Sequence, residues 1–263
     1  MILLESLSSI ISLFSKRTKI YGINRSEICK ENLKVVLKRN PTKDEINEVF
    51  KNHVLYHLYL FLYPLIRNKI KINPESNDRL QELIIESMEK GAICVSAHIG
   101  IPEFGAKIFV QNGIKVFALV EDLKSKYQKL FFNITRRNIG IITEPRFKKF
   151  VSYMLNPAGK IFVVLVDRPV PNSKPAEMFG EIFYISDLPI RLSKRFGLSI
   201  FGIACVRDNK NFILKIKKIH RDDEMTKFIE DSIMKSYTQW NLFFKRKPEH
   251  TNSQIQKTSL QSC

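Results

Sequence analysis

The sequence predicts an α/β protein: a mainly parallel or mixed sheet with helices on both faces, preceded by an N-terminal helical segment. Three observations carry this. Up to about residue 90 the apolar residues recur at helical spacing. After Gly91 short apolar runs alternate with helical stretches, the order that builds parallel sheets through crossover connections. The chain has 263 residues, 44% of them hydrophobic, which suits one large domain with its own core.

Residues 1–14 place Ile2, Leu3, Leu7, Ile10, Ile11 and Phe14 where they can share a helical face, with Lys16, Arg17 and Lys19 following. A signal peptide puts its basic residues first. Two readings stand: an amphipathic helix at a membrane surface, or an ordinary helix packed on the domain. A helix over 24–39 carries Ile28, Leu33, Val36 and Leu37 on one stripe. Thr42-Lys43-Asp44-Glu45 is a capping box, with Thr42 as N-cap and Glu45 at N3. The helix it opens is expected to run to about Leu62, before Pro64. Its stretch from Tyr56 to Ile66 is dense in aromatic and aliphatic residues, as core or as a membrane-facing patch. A third helix over 77–90 stops at Gly91, a good C-cap. Residues 1–90 thus form a helical segment expected to pack on the core.

The core is set at 91–248. Strands are expected at 92–97, 115–120, 139–143, 161–166, 199–206 and 211–218, with antiparallel pairing allowed near the end. Helices fit at 102–111, 124–137, 146–155, 187–196 and 224–238. Residues 249–263 are polar and aperiodic, and are expected to be disordered.

A formal charge of +17 directs the surface toward something acidic: nucleic acid, anionic lipid headgroups or an acidic protein. The four cysteines, Cys29, Cys94, Cys205 and Cys263, lack C-x-x-C spacing, against a zinc site or a disulfide framework. No run approaches the roughly 20 apolar residues that span a bilayer. Nucleotide-binding glycine loops and the G-x-S-x-G elbow are also missing. Nucleic acid is not expected as a partner and ranks behind a lipid surface, since charge alone motivates it and no zinc-finger or single-strand-binding signature accompanies it.

The candidate chemistry lies in Ala97-His98-Ile99-Gly100-Ile101-Pro102-Glu103. His98 falls at the carboxyl end of a core strand, and Pro102 suits the first turn of a helix. A histidine beside a carboxylate takes a proton from a hydroxyl and holds the resulting charge. From the residues alone His98 and Glu103 are either such a pair or a surface histidine at a loop and a glutamate favoured by the helix macrodipole. Asp167, followed by Arg168 and Pro169, also ends a strand, so it lies at the same sheet end. Its roles are acceptor positioning, support for the site, or capping of a turn. Arg136 and Arg137 either favour a helix C-terminus or grip a phosphate. His53 and His57 have the spacing of paired metal ligands, but no third ligand is evident and no metal is expected.

Several blocks resemble the lipid A biosynthesis (lauroyl and myristoyl) acyltransferases of the lysophospholipid acyltransferase superfamily. Residues 25–33 look like that family's N-terminal helix with its Asn-Leu pair, here Asn32-Leu33, and 42–50 like the capped helix that follows. Residues 91–103 are similar to its strand leading into H-F-G-N-W-E, with His98, Gly100 and Glu103 retained. Asp167 stands where the family has an aspartate, and Met178-Phe179-Gly180 is similar to its aromatic-Gly segment. Residues 189–197 and 200–207 look like its late helix and strand. Gln239-Trp240-Asn241-Leu242-Phe243-Phe244-Lys245-Arg246 is similar to its terminal Q-W-x-W-x-x-R-R block.

The resemblance implies transfer of a fatty acyl chain from an acyl carrier protein or coenzyme A thioester to a hydroxyl of a glycolipid or phospholipid, such as a lipid A precursor. For catalysis the resemblance implies His98 as general base, with Glu103 orienting it and backbone N–H groups around Gly100 supplying part of an oxyanion site. Gly100, Arg136, Arg137, Asp167 and Arg168 are the expected substrate-binding set. The thioester is a cosubstrate and no bound cofactor is implied. The implied location is the cytoplasmic face of the inner cell membrane, peripheral or monotopic, on an anionic surface. Ile101-Pro102 replaces the family's Asn-Trp, Val120-Glu121-Asp122 lacks an expected arginine, and Arg168 replaces a polar residue. The alternative is a catalytically inactive peripheral lipid-binding relative.

Overall fold

The computed structural model describes residues 23–170, 172–209, 211–241 and 243–244, together with Ser8 and Lys19–Ile20. The amphipathic stretch 1–14 (Ser8 excepted), the tail 249–263, and Leu242, Lys245 and Arg246 of the terminal block lie outside the described residues.

Strands β1 (Lys19–Ile20) and β2 (Ile23–Asn24) pair antiparallel, and Asn24 then caps helix α1 (Arg25–Leu37) by accepting from the Ser26 amide at 3.1 Å. Helix α2 (Lys43–Ile66) opens on the full capping box: Thr42 accepts from the Glu45 amide at 3.2 Å, and Glu45 from the Thr42 amide at 2.7 Å. It runs through Pro64 instead of stopping before it. Proline removes one N–H only, and bonding resumes beyond it as Arg67 N–H donates to the Tyr63 carbonyl at 2.8 Å. Helix α3 (Asn77–Glu89) is capped by Ser76.

Seven strands form one mixed sheet in the order β3 (Ile72–Pro74), β11 (Asn211–Ile219), β10 (Ser199–Asp208), β4 (Ala92–Ser96), β7 (Lys160–Leu165), β5 (Lys115–Leu119), β6 (Ile141–Glu144). Every neighbouring pair is parallel except β10 with β11. Helices α4 (Pro102–Gln111), α5 (Lys126–Ile139), α6 (Phe147–Ser152), α7 (Leu188–Phe196) and α8 (Asp222–Lys235) complete the layers. The α/β class and its mixed sheet are as the sequence predicts.

Besides the short β1–β2 pair, one edge strand and one hairpin go beyond the sequence reading. The three-residue β3 ends in Pro74 at the sheet edge, where a missing N–H is tolerated. The hairpin β8 (Lys174–Met178) to β9 (Glu181–Ile185) turns on Phe179-Gly180, whose φ angles of 54° and 66° match the twist of paired strands. Boundaries also move. Helix α5 extends to Ile139 because Gly140, at φ 96°, is its left-handed C-cap, so β6 starts at Ile141 and not at 139. The stretches at 146–155 and 224–238 each break into a helix and a short 3-10 turn.

Strand β4 is buried along its whole length and sorts by alternation. Ile93 and Val95 join one core with Leu33 of α1, Phe150 of α6, Ile190 of α7 and Ile229 of α8. Ala92 and Cys94 join the other, with Leu83 of α3, Phe104 and Phe109 of α4 and Ile139 of α5. Helix α2 contributes Phe50 to the first core and Leu55 and Leu60 to the second. It therefore passes the end of the sheet, where its middle turns meet the loop after β4.

Candidate active site

Strands β4 and β7 are parallel neighbours with Ser96 opposite Leu165, and Val166 N–H donates to the Ser96 carbonyl at 2.9 Å. Carried two residues further, this register sets His98 beside Asp167. The contact is dense. Both Asp167 oxygens lie 3.0 Å from the His98 backbone N–H, and Oδ1 lies 2.7 Å from His98 Nδ1. Trp240 Nε1 donates to Oδ2 at 2.7 Å.

Every partner of Asp167 is a donor, so the arrangement suits an ionised carboxylate. Burial alone would raise the Asp167 pKa, since the group is only 3% exposed. The charge of His98 and the hydrogen bonds from His98 and Trp240 outweigh that and hold it below the usual carboxylate value. An acceptor-only carboxylate fixes the proton of neutral His98 on Nδ1. Nε2 keeps its lone pair, on a side chain that is one-third exposed at 32%.

The loop bearing His98 is clamped by the chain's far end. Asn241 N–H donates to the His98 carbonyl at 2.7 Å, and Gly100 N–H donates to the Gln239 carbonyl at 3.0 Å. Gly100 has φ 61°, and a Cβ there would lie 2.0 Å from the Cys205 carbonyl oxygen, so only glycine fits. The clamp is itself held by the N-terminal helices. Asn52 donates to the Thr238 carbonyl and Asn32 to the Phe244 carbonyl, each at 3.1 Å, and His53 Nδ1 meets Asn241 Oδ1 at 2.6 Å. Phe179 of the β8–β9 turn and Phe244 flank the Trp240 indole, each with ring centres 6.4 Å away.

Two expectations are corrected. Glu103 does not orient His98: Asp167 does. Glu103 lies on the first turn of α4 and turns toward α2 and α5, where Tyr56 donates to its Oε1 at 3.0 Å and Arg136 Nε at 3.1 Å. Its Oε2 is buried and has no hydrogen-bond partner among the described residues. The amides around Gly100 are not open as oxyanion donors either. That of Gly100 is taken by Gln239, and Ile101 N–H donates to the Cys205 carbonyl at 2.8 Å.

The remaining residues separate. Arg136 sits in the Glu103 cluster, whereas Arg137 is exposed. Arg168, next to Asp167, forms an ion pair with Glu121, so two positions that depart from the resembled pattern meet in space. Both His53 nitrogens are engaged, Nδ1 by Asn241 and Nε2 by the Arg25 guanidinium at 2.9 Å. Burial, with the nearby His57 and Arg25 charges, lowers the His53 pKa to about 3, so the ring is neutral. No group of three or more metal-ligating side chains occurs among the described residues. Burial raises the pKa of Cys94 and Cys205 thiols strongly, which disfavours thiolate chemistry.

An apolar cavity of about 50 Å³ is walled by Ala106, Phe109, Val116, Leu165 and Ile203, with Glu103 and Arg136 also lining it; neither His98 nor Asp167 is in its wall. A histidine braced by a buried carboxylate can deprotonate a hydroxyl.

The sequence reading missed Trp240, Asn241, Tyr56 and His53 as parts of this site. Trp240 and Asn241 carried a signal, lying together in the block that resembles the family's terminal segment, and Trp240 is the single tryptophan of the chain.

No family model matches the chain, and no curated protein matches it in sequence. Among solved structures it is similar to the 1-acyl-sn-glycerophosphate (LPA) acyltransferase of Thermotoga maritima, with 11% identity over 89% of this chain and 94% of that one, at a TM-score of 0.38.

Proposed function

We propose that the protein is an O-acyltransferase that moves a fatty acyl chain from a thioester to a lipid hydroxyl. The observation that carries this is the His98–Asp167 pair, at the carboxyl ends of adjacent parallel strands, with no hydrogen-bond partner for Nε2 among the described residues. The sequence blocks that resemble the lipid A acyltransferases support the same reading.

His98 Nε2 takes the proton of the acceptor hydroxyl as its oxygen attacks the thioester carbonyl carbon. Asp167 stabilises the imidazolium that forms. Collapse of the tetrahedral intermediate breaks the carbon–sulfur bond, and the imidazolium returns the proton to the departing thiolate. The products are an ester and a free thiol. Glu103 acts at one remove, by holding Arg136 at the wall of the apolar cavity. Arg168, half-buried next to Asp167, is the cation best placed to meet an anionic part of donor or acceptor.

The donor is an acyl carrier protein or coenzyme A thioester, and the acceptor a glycolipid or phospholipid such as a lipid A precursor. Work at the cytoplasmic face of an anionic membrane fits the basic surface. No described helix is long and apolar enough to cross a membrane. The test is a mass-spectrometric lipid profile of cells carrying wild-type protein, His98→Ala, or neither. A lipid that gains one acyl chain only with wild type supports the reading and names the acceptor. Equal profiles, with both proteins well expressed and the acceptor lipids present, overturn it in favour of a silent lipid-binding relative.

A further inference from the structure

The aromatic and aliphatic stretch in the second half of α2 divides in the structure. Tyr59, Leu60 and Tyr63 are buried, whereas Phe61 is 66% exposed and Leu65 79%. Helix α5 does the same: Tyr127 is 87% exposed, Leu130 59% and Ile134 50%, while Thr135 and Ile139 face the core. The two helices touch through His57, whose ring lies 5.9 Å from Phe131 and 5.8 Å from Phe132. Phe61 and Leu65 follow His57 at one-turn steps, and Tyr127, Leu130 and Ile134 share the side of α5 that bears Phe131. The outward apolar side chains therefore form one band across both helices. Bands of this kind on a monomer mark an interaction surface.

Charge identifies the occupant. Neither 53–74 nor 123–143 contains an aspartate or glutamate. Arg67, Lys69 and Lys71 follow α2, and Lys124, Lys126 and Arg137 lie on or beside α5, all exposed. A second copy of the chain would meet the band with the same unbalanced cations, so like charge opposes self-docking. A surface both apolar within and negative at its headgroups satisfies both features. We infer that this α2–α5 face docks on an anionic lipid bilayer, with Phe61, Leu65, Leu130 and Ile134 entering the interface and the flanking cations meeting headgroups. The inference does not depend on the acyl-transfer reading.

The test uses the full chain and vesicles of phosphatidylglycerol with phosphatidylcholine, against phosphatidylcholine alone. Phe61→Trp reports depth by its quenching with brominated acyl chains, and the wild type corrects for the buried Trp240. Ile85→Trp, at an exposed position of α3, is the control. Docking predicts quenching at 61 and none at 85, on the anionic vesicles only, weakening as salt rises. It also predicts that Phe61→Asp with Leu130→Asp lowers vesicle partitioning at least about tenfold while Ile85→Asp does not. Binding without quenching at 61 would place the lipid contact elsewhere, as on residues 1–18. Absence of binding, or a concentration-dependent dimer lost in the double variant, would overturn the inference equally.

Discussion

Replacing Asp167 by asparagine keeps the shape of the side chain and changes what it accepts. The carboxylate takes the His98 N–H, His98 Nδ1–H and Trp240 Nε1–H, with separations of 2.7 to 3.0 Å. An amide has one accepting oxygen, so its NH2 must face a donor. If it faces Trp240, two buried donors oppose each other. If it faces His98 Nδ1, the imidazole must move its proton to Nε2, which then cannot take one from a hydroxyl. Each lost charge-assisted bond is worth about 1.5–3 kcal/mol. The charge that braced the imidazolium is lost as well, and the same exchange in Ser-His-Asp enzymes lowers kcat about 10⁴-fold. We expect a fall of about 10²- to 10⁴-fold, or roughly 3–5 kcal/mol. Nitrogen-15 NMR of the imidazole should find the His98 proton on Nδ1 in the wild type and on Nε2 in a large share of the variant. A transfer assay on the acceptor from the lipid profile supplies the rate. Wild-type turnover with an unchanged tautomer would refute the reasoning, because Asp167 would then be a structural cap and nothing more.

Other outcomes follow from the same geometry. Trp240→Phe removes the donor to Asp167 Oδ2 and should raise the Asp167 pKa and lower turnover about tenfold with little change in KM, measured by titration and steady-state kinetics. Glu103→Gln should reduce stability to urea by about 1–3 kcal/mol by weakening the Arg136 pair, yet slow turnover far less than Asp167→Asn; equal losses would restore Glu103 to the proton path. Gly100→Ala should lower Tm and abolish transfer, since its Cβ would meet backbone at 2.0 Å; a strain of at least about 2 kcal/mol is expected. For His53 the folded pKa of about 3 lies below the unfolded value of 6.5, so its neutral burial stabilises the fold above pH 6.5, and that contribution falls away as pH drops toward 3. The ceiling is about 5 kcal/mol, and His53→Gln should flatten the decline of Tm between pH 7 and pH 4.

Local chemistry made much of this legible in the residues. Thr42 and Glu45 specify a helix start through bonds three residues apart, and Gly91 stops the helix before it because few other residues adopt positive φ. The strand boundaries at 92, 199 and 211 were readable for the same reason, since apolar runs bounded by turn residues are local signals. What escaped was short or edge-placed: the two-residue strands β1 and β2, β3 with three residues, and the β8–β9 hairpin, whose first strand, Lys174–Met178, lacks alternation.

The site divides along the same line. By itself the sequence determined that His98 and Asp167 each end a strand, that Gly100 and Pro102 shape the turn into a helix, and that the surface is cationic, because these follow from residue type and near neighbours. Only the tertiary structure decided that β7 lies directly beside β4, although β5 and β6 intervene in the chain. That adjacency puts Asp167, 69 residues away, in the place expected of Glu103, five residues away on a helix turned toward Arg136. It also brings Trp240 and Asn241 onto the pair from the far end of the chain. Strand order minimises the exposed apolar area of the whole sheet, a sum over all its elements, and no stretch of sequence near His98 carries that sum.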